Sequence, residues 1–174
     1  MRPLALSVLI SLAGTDAMLA QVEGFRLLFP ADSTTIAEDD QRAIFDLLGY
    51  GVSADGTGLE DRVMDCGSIY AHAQEDDLNG DGIPEAFVLG GNGCTSGMDG
   101  SNLTLFIQDA GGTWVTNLGF PAGGWTKLET GNLGFPDLAI GGAGFCEAVY
   151  RWDGSMYQHH GNRETEPGGC DGVG

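Results

Sequence analysis

Apolar positions along this chain change their period once. In "STTIAEDDQRAIFDLLGYG", Ile36, Ala43, Ile44, Leu47 and Leu48 recur near helical spacing, whereas beyond Cys66 short apolar runs alternate with period two between glycines. The first pattern predicts a helix over 36–48. Thr35 with Glu38 fits a capping box, Glu38, Asp39 and Asp40 crowd the first turn where the helix dipole favours acids, and Gly49 closes the end. The second pattern predicts antiparallel strands. In "EAFVLGG" Phe87 and Leu89 share one side and Val88 takes the other, so this strand is expected to be central and buried on both faces. In "EAVYRWD" Val149 and Arg151 oppose Tyr150 and Trp152, as on a half-exposed strand.

The strand region divides into two segments that can be laid on each other. Pro84-Glu85 aligns with Pro136-Asp137, 52 residues later, and each pair leads into a short apolar strand ending in Gly-Gly. Each then has an outgoing hairpin, turning at Gly111-Gly112 and at Asp153-Gly154, with Trp114 and Tyr157 at matching places beyond the turn. A repeat of strand, loop and three further strands is one blade-like β-meander. The expected fold is mainly β, with two blade-like antiparallel β-meander units, propeller-like or sandwich, preceded by one short N-terminal helix. Its parts are a helix and lead-in over 21–62 and a two-repeat β domain over 63–174. The units cover about 67–119 and 125–161, with a cysteine-containing tail over 162–174.

The N-terminus changes the setting. "MRPLALSVLISLAGTDAMLA" has one Arg, an uncharged apolar run and small residues at its end, which reads as a secretory signal over 1–20, cut after Ala20 or Ala17. The run is too short for a confident membrane span, and no cysteine follows the cut, so no membrane anchor is expected. Four cysteines remain, Cys66, Cys94, Cys146 and Cys170, and an even count behind a signal reads as two disulfides. Of the three connectivities, Cys66 with Cys94 and Cys146 with Cys170 is favoured, because each pair then closes a loop inside one unit. Both features place the chain outside the cytoplasm, secreted or periplasmic.

Charge narrows the partners. Without residues 1–20 the chain carries 6 basic and 24 acidic side chains, so its net charge stays at -18. Such a chain repels phosphate backbones and anionic lipid, which excludes nucleic acid and membrane surfaces as partners and leaves cations, a protein or a glycan. Three histidines, His72, His159 and His160, and no G-x-S-x-G elbow offer no nucleophile and base. No C-x-x-C spacing suggests zinc, and the sole lysine, Lys127, lies outside any phosphate loop.

One stretch carries specific chemistry. In "DDLNGDGIPEAFVLGG", Asp77, Asn79 and Asp81 stand at positions one, three and five, Gly82 permits a sharp bend, Ile83 offers its carbonyl at seven and Glu85 follows at nine. A hard cation such as calcium takes six to eight oxygens from a loop that curls around it, and this spacing supplies them. Position twelve is Val88, not a bidentate Glu, so the loop leaves into a strand rather than a helix. An Asn-Gly and Asp-Gly turn without an ion fits the same text.

At these residues the sequence resembles the FG-GAP and VCBS type of calcium-loop repeat found in integrin-like propellers and many secreted bacterial proteins. The matching text is "DLNGDGIPEAFVLGG" and, weakened, "GNLGFPDLAIGG". The resemblance implies calcium as the cofactor, held by Asp77, Asn79, Asp81, the Ile83 carbonyl and Glu85. In the second unit Gly131, Asn132, Leu133 and Gly134 replace the acidic ladder and only Asp137 matches, so no metal is expected there. The function expected is a calcium-binding, disulfide-stabilised interaction module and not an enzyme. The alternatives are a carboxylate-dependent hydrolase or an acidic scavenger of a basic partner.

Overall fold

The computed structural model describes residues 24–173; the signal reading of 1–20 lies outside them. After a helical turn at 24–28 comes α1, Glu38–Leu48. Strands β1 (Tyr50–Val52), β2 (Leu59–Asp61), β3 (Gly67–Asp76), β4 (Glu85–Gly91), β5 (Asn102–Gln108) and β6 (Trp114–Pro121) then form a six-stranded sheet in sequence order. A short helix, α2 (Gly93–Ser96), fills the β4–β5 connection. Strands β7 (Gly124–Asn132), β8 (Phe135–Gly141), β9 (Cys146–Trp152) and β10 (Tyr157–Glu164) form a second sheet of four. All pairings are antiparallel. The protein is mainly β with the two meanders expected, β3–β6 and β7–β10, and Trp114 and Tyr157 each open the last strand of their unit.

The lead-in holds more than the helix. Its end supplies β1 and β2, which extend the first meander to six strands, so the sheet curls. These three-residue strands are too short to show a period, and Gly51 and the acids of "LED" hide them in the sequence.

Strand β4 is buried at every position. Ala86 and Val88 join one core with Phe25, Leu28, Phe29, Ile44, Phe45, Phe106 and Trp114, where α1 and the turn at 24–28 cover the first sheet. Phe87 and Leu89 face a second core, shared with Leu138, Ile140, Trp152 and Tyr157 of the other sheet. Phe87 stacks on Trp125 with ring centres 3.7 Å apart. The order of layers is therefore helix, six-stranded sheet, four-stranded sheet, and β4 is the strand clamped between the two cores.

Both disulfides form within a unit, Cys66 with Cys94 and Cys146 with Cys170. The first ties the β2–β3 loop to α2, and the second fastens the tail to the start of β9. Among the described residues no helix is long and apolar enough to cross a membrane.

The helix start differs from the capping box. Ala37 occupies the N-cap with an extended backbone and gives no side-chain cap. Thr35 instead donates its amide and hydroxyl to Glu75 of β3 at 2.8 and 2.7 Å, and the Thr34 hydroxyl donates to the other oxygen of the same carboxylate. Glu38 pairs with Arg26 and Arg42. A long-range carboxylate thus replaced the local partner, which no local pattern could foretell.

Candidate metal loop

The stretch of interest is the connection between β3 and β4, residues 77–84, with Glu85 at the start of β4, and its shape follows from its side chains. Asp77 accepts backbone amides from Gly80 at 2.8 Å and Asp81 at 3.1 Å on one oxygen, and from Gly82 at 2.9 Å on the other. Asn79 accepts from the amide of Asp81 at 2.9 Å, and Asp81 accepts from the amide of Ile83 at 2.8 Å. The last two are successive Asx turns, in which a short side chain satisfies the amide two residues on, and Asp77 gathers the amides three to five residues on. Gly80 and Gly82 sit at φ 76° and 86°, the left-handed conformation such a coil needs and a side chain resists.

Glu85 closes the coil. It opens β4 on the face that bears Phe87, is 4% exposed, and accepts the amide of Leu78 at 2.7 Å. Leu78 is itself buried against the second core, so the loop is pinned by one apolar and one polar contact. Burial pushes the Glu85 carboxyl up to about 7, against the pull of its backbone hydrogen bonds, and the charges of Asp81 and Asp77 add to the rise. None of the six ion pairs among the described residues reaches Asp77, Asp81 or Glu85. The two neighbouring acids are engaged elsewhere, Glu75 by Thr34 and Thr35 and Asp76 by Lys127 at 2.8 Å.

The donor set is all oxygen, as a hard cation requires, and no ion pair among the described residues offsets its negative charge. Among the described residues, however, no three His, Cys, Asp or Glu side chains gather as a ready ligand group. Asn79 turns its amide nitrogen to Asp81 at 2.9 Å, so its oxygen and nitrogen must exchange places for the oxygen to face the Asp81 carboxylate. The three amides that Asp77 accepts fill both lone pairs of one oxygen and leave one free on the oxygen that takes Gly82. The donor types of Asp77, Asn79, Asp81, the Ile83 carbonyl and Glu85 are those a hard cation takes, but the side chains are turned to the loop amides and to one another rather than gathered about one centre.

The loop borders a cleft of about 400 Å³ between the two sheets, lined among others by Asn79, Asp81, Glu85, Asp109, Phe135 and Trp152. Sequence reasoning missed the last three. Asp109 shapes the β5–β6 turn by accepting the amides of Gly111 and Thr113, as Asp153 does for Ser155 and Met156 in the other unit. That shared Asp before each turn was a legible signal. Phe135 and Trp152, stacked at 4.4 Å, arrive by tertiary packing alone.

In the second unit Asp137 is 1% exposed and meets Arg151, its cross-strand neighbour, through two hydrogen bonds of 2.8 and 2.6 Å; Thr130 donates a third at 2.6 Å. The Arg151 hydrogen bonds hold its carboxyl below the ordinary range despite burial. No protein-family model matches the chain, and no match was found among the curated proteins or the solved structures compared.

Proposed function

We propose that the protein is a secreted or periplasmic β-repeat module in which calcium at Asp77–Glu85 fastens the loop between β3 and β4, leaving the folded surface to bind a protein or glycan partner. One observation carries the reading. Burial, and behind it the charges of Asp81 and Asp77, raises the Glu85 carboxyl, and no ion pair among the described residues reaches these three acids. A divalent cation would supply the opposite charge and offset the repulsion.

On this reading the cation is a staple and not a catalyst, because the second unit keeps the same proline, acid and strand at Pro136-Asp137 without the acidic ladder. The two disulfides support a place outside the reducing cytoplasm. The test is the thermal melting of the oxidised protein with millimolar calcium and with a chelator. A higher midpoint in calcium supports the reading, and identical curves refute it. Magnesium, which keeps its waters and demands a stricter octahedron, should shift the midpoint less.

A further inference from the structure

Asparagine followed by glycine occurs twice in the chain, at Asn79-Gly80 and at Asn92-Gly93. The pair has a chemistry of its own. The glycine amide nitrogen can close a five-membered ring onto the carbonyl carbon of the asparagine side chain, and glycine has no side chain to shield that nitrogen. The fold treats the two pairs oppositely.

Asn92 is clamped. Its side-chain nitrogen donates to the carbonyls of Cys66 and Ser68 at 3.0 and 2.9 Å, and its oxygen accepts the amides of Cys94 and Thr95 at 2.8 and 3.1 Å as the N-cap of α2. The Cys66–Cys94 disulfide fastens both sides of that contact. Any rotation of this side chain toward Gly93 gives up those hydrogen bonds.

At Asn79 the hydrogen bonds favour the reaction instead. The attacking group, the Gly80 amide, donates to Asp77 Oδ1 at 2.8 Å, within reach of a general base. That hydrogen bond lies in the peptide plane, whereas the nitrogen attacks with electrons perpendicular to it, so the two do not compete. The group attacked, the side-chain carbonyl, accepts the Asp81 amide at 2.9 Å, which steadies negative charge on its oxygen as the new bond forms. The group expelled, the side-chain nitrogen, donates to Asp81 Oδ2 at 2.9 Å. The Asx turn folds this side chain back over the Gly80 peptide. Gly80 is exposed, at φ 76°, and a Cβ there would meet nothing within 4 Å, so the ring closes into open space.

We propose that Asn79 is a self-modifying site, at which the loop converts its own asparagine to aspartate and isoaspartate through a succinimide formed with Gly80. First, the Gly80 nitrogen bonds to the side-chain carbonyl carbon and its proton passes to the Asp77 carboxylate. The side-chain nitrogen takes up that proton through solvent and leaves as ammonia. Water then adds to one of the two ring carbonyls and its bond to nitrogen breaks, leaving a carboxylate. An amide and water become an acid and ammonia, with no oxidant or reductant. Opening at the side-chain carbonyl gives aspartate, whereas opening at the main-chain carbonyl routes the chain through the side chain and lengthens the loop by one methylene. In the aspartate product a carboxylate faces Asp81 where a donor stood, so the modification loosens the loop as the molecule ages. Neither step involves a cation, so the inference does not depend on calcium at the β3–β4 loop.

The full oxidised chain is held at neutral pH in chelator, and samples taken over time are digested and mapped by mass spectrometry. The expected result is the mass gain of an amide-to-acid exchange at position 79, with isoaspartate among the products, and none at position 92. Hydroxylamine, which opens succinimides, should cut the chain between residues 79 and 80. The reduced chain in guanidinium should modify both positions alike, and no faster at 79 than the folded chain does. Asp77→Asn, which keeps an oxygen for the loop amides and removes the base, should slow the reaction at least about tenfold; its melting curve shows whether it folds. Equal modification at 79 and 92 in the folded wild type, or a folded rate at 79 below that of the unfolded chain, overturns the inference. So does an undiminished rate in folded Asp77→Asn.

Discussion

Glu85 and Asp137, the acids that follow proline in their respective units, are both buried, yet Asp137 has an arginine and Glu85 has no basic partner among the described residues. They also face opposite ways. Glu85 lies on the face of β4 that carries Phe87 toward the second sheet, whereas Asp137 lies across from Arg151 on the side of β8 opposite Leu138 and Ile140. The same short motif thus presents a buried carboxylate with no ion pair among the described residues in one unit and a buried carboxylate paired with arginine in the other.

The unpaired state of Glu85 predicts a pH dependence. Its folded value, about 7, stands above the ordinary 4.5. The folded state therefore holds this proton more tightly than the unfolded chain does. The stabilisation is complete below about pH 4.5 and disappears as pH rises through about 7. In chelator, the melting midpoint should fall across that window, and Glu85→Gln should remove the fall and leave the variant roughly 5 °C more stable at pH 8. Calorimetry of both proteins from pH 4 to 8 checks it, and parallel curves would be evidence against an uncompensated Glu85.

Calcium should reverse that order. At about 100 times its Kd a ligand adds about 2.7 kcal/mol, or roughly 5–10 °C for a chain of this length. Wild type should gain this shift and Asp81→Ala should not, at little cost in chelator, since Asp81 is exposed and accepts only the Ile83 amide and the Asn79 side chain. Asp77→Ala should lose the shift and also cost about 1–3 kcal/mol without calcium, because three loop amides lose their acceptor. Melting curves of the two variants, with and without calcium, separate ligand from scaffold.

The Asp137–Arg151 pair predicts an asymmetric response to mutation. Arg151→Met leaves a carboxylate that is 1% exposed without its cation and should cost about 3 kcal/mol or more. Adding Asp137→Leu should recover most of that loss, since an apolar pair of similar size often matches a buried ion pair. Urea denaturation of the two single variants and the double variant gives the coupling. A purely additive result would show that the pair does not act as a unit.

What the sequence made legible is local and periodic. Glu85–Gly91 was readable as a central strand because both of its faces are apolar, and the two meanders were readable because a proline and an acid lead into an apolar strand in each and each last strand begins with an aromatic residue. What stayed hidden is tertiary. Glu75 reaches back across 40 residues to Thr35 and displaces the capping box, Lys127 neutralises Asp76 from the other sheet, and β1 and β2 are too short for any period to register. Of the loop, the order of oxygen donors was readable from alternation. Glu85's burial was not, because it depends on the second sheet lying over β4.

Gly131 shows how a sequence difference can carry a reason that only packing supplies. In the alignment of the two units it stands where an acidic ladder is lost, which suggests decay of a metal loop. In the structure a Cβ at Gly131 would lie 2.3 Å from the Phe135 carbonyl oxygen and 2.9 Å from the Pro136 Cα, because β7 and β8 approach closely where their register shifts. Backbone atoms cannot swing aside as a flexible side chain does, so even alanine forces the strands apart. Gly131→Ala should therefore destabilise the fold by about 1–3 kcal/mol, measured by urea denaturation. Gly80→Ala, where a Cβ meets nothing but the backbone is left-handed at φ 76°, should cost only about 1 kcal/mol. Equal losses at the two sites would mean that the β7–β8 approach relaxes freely, and that its glycine records a lost ligand rather than a packing demand.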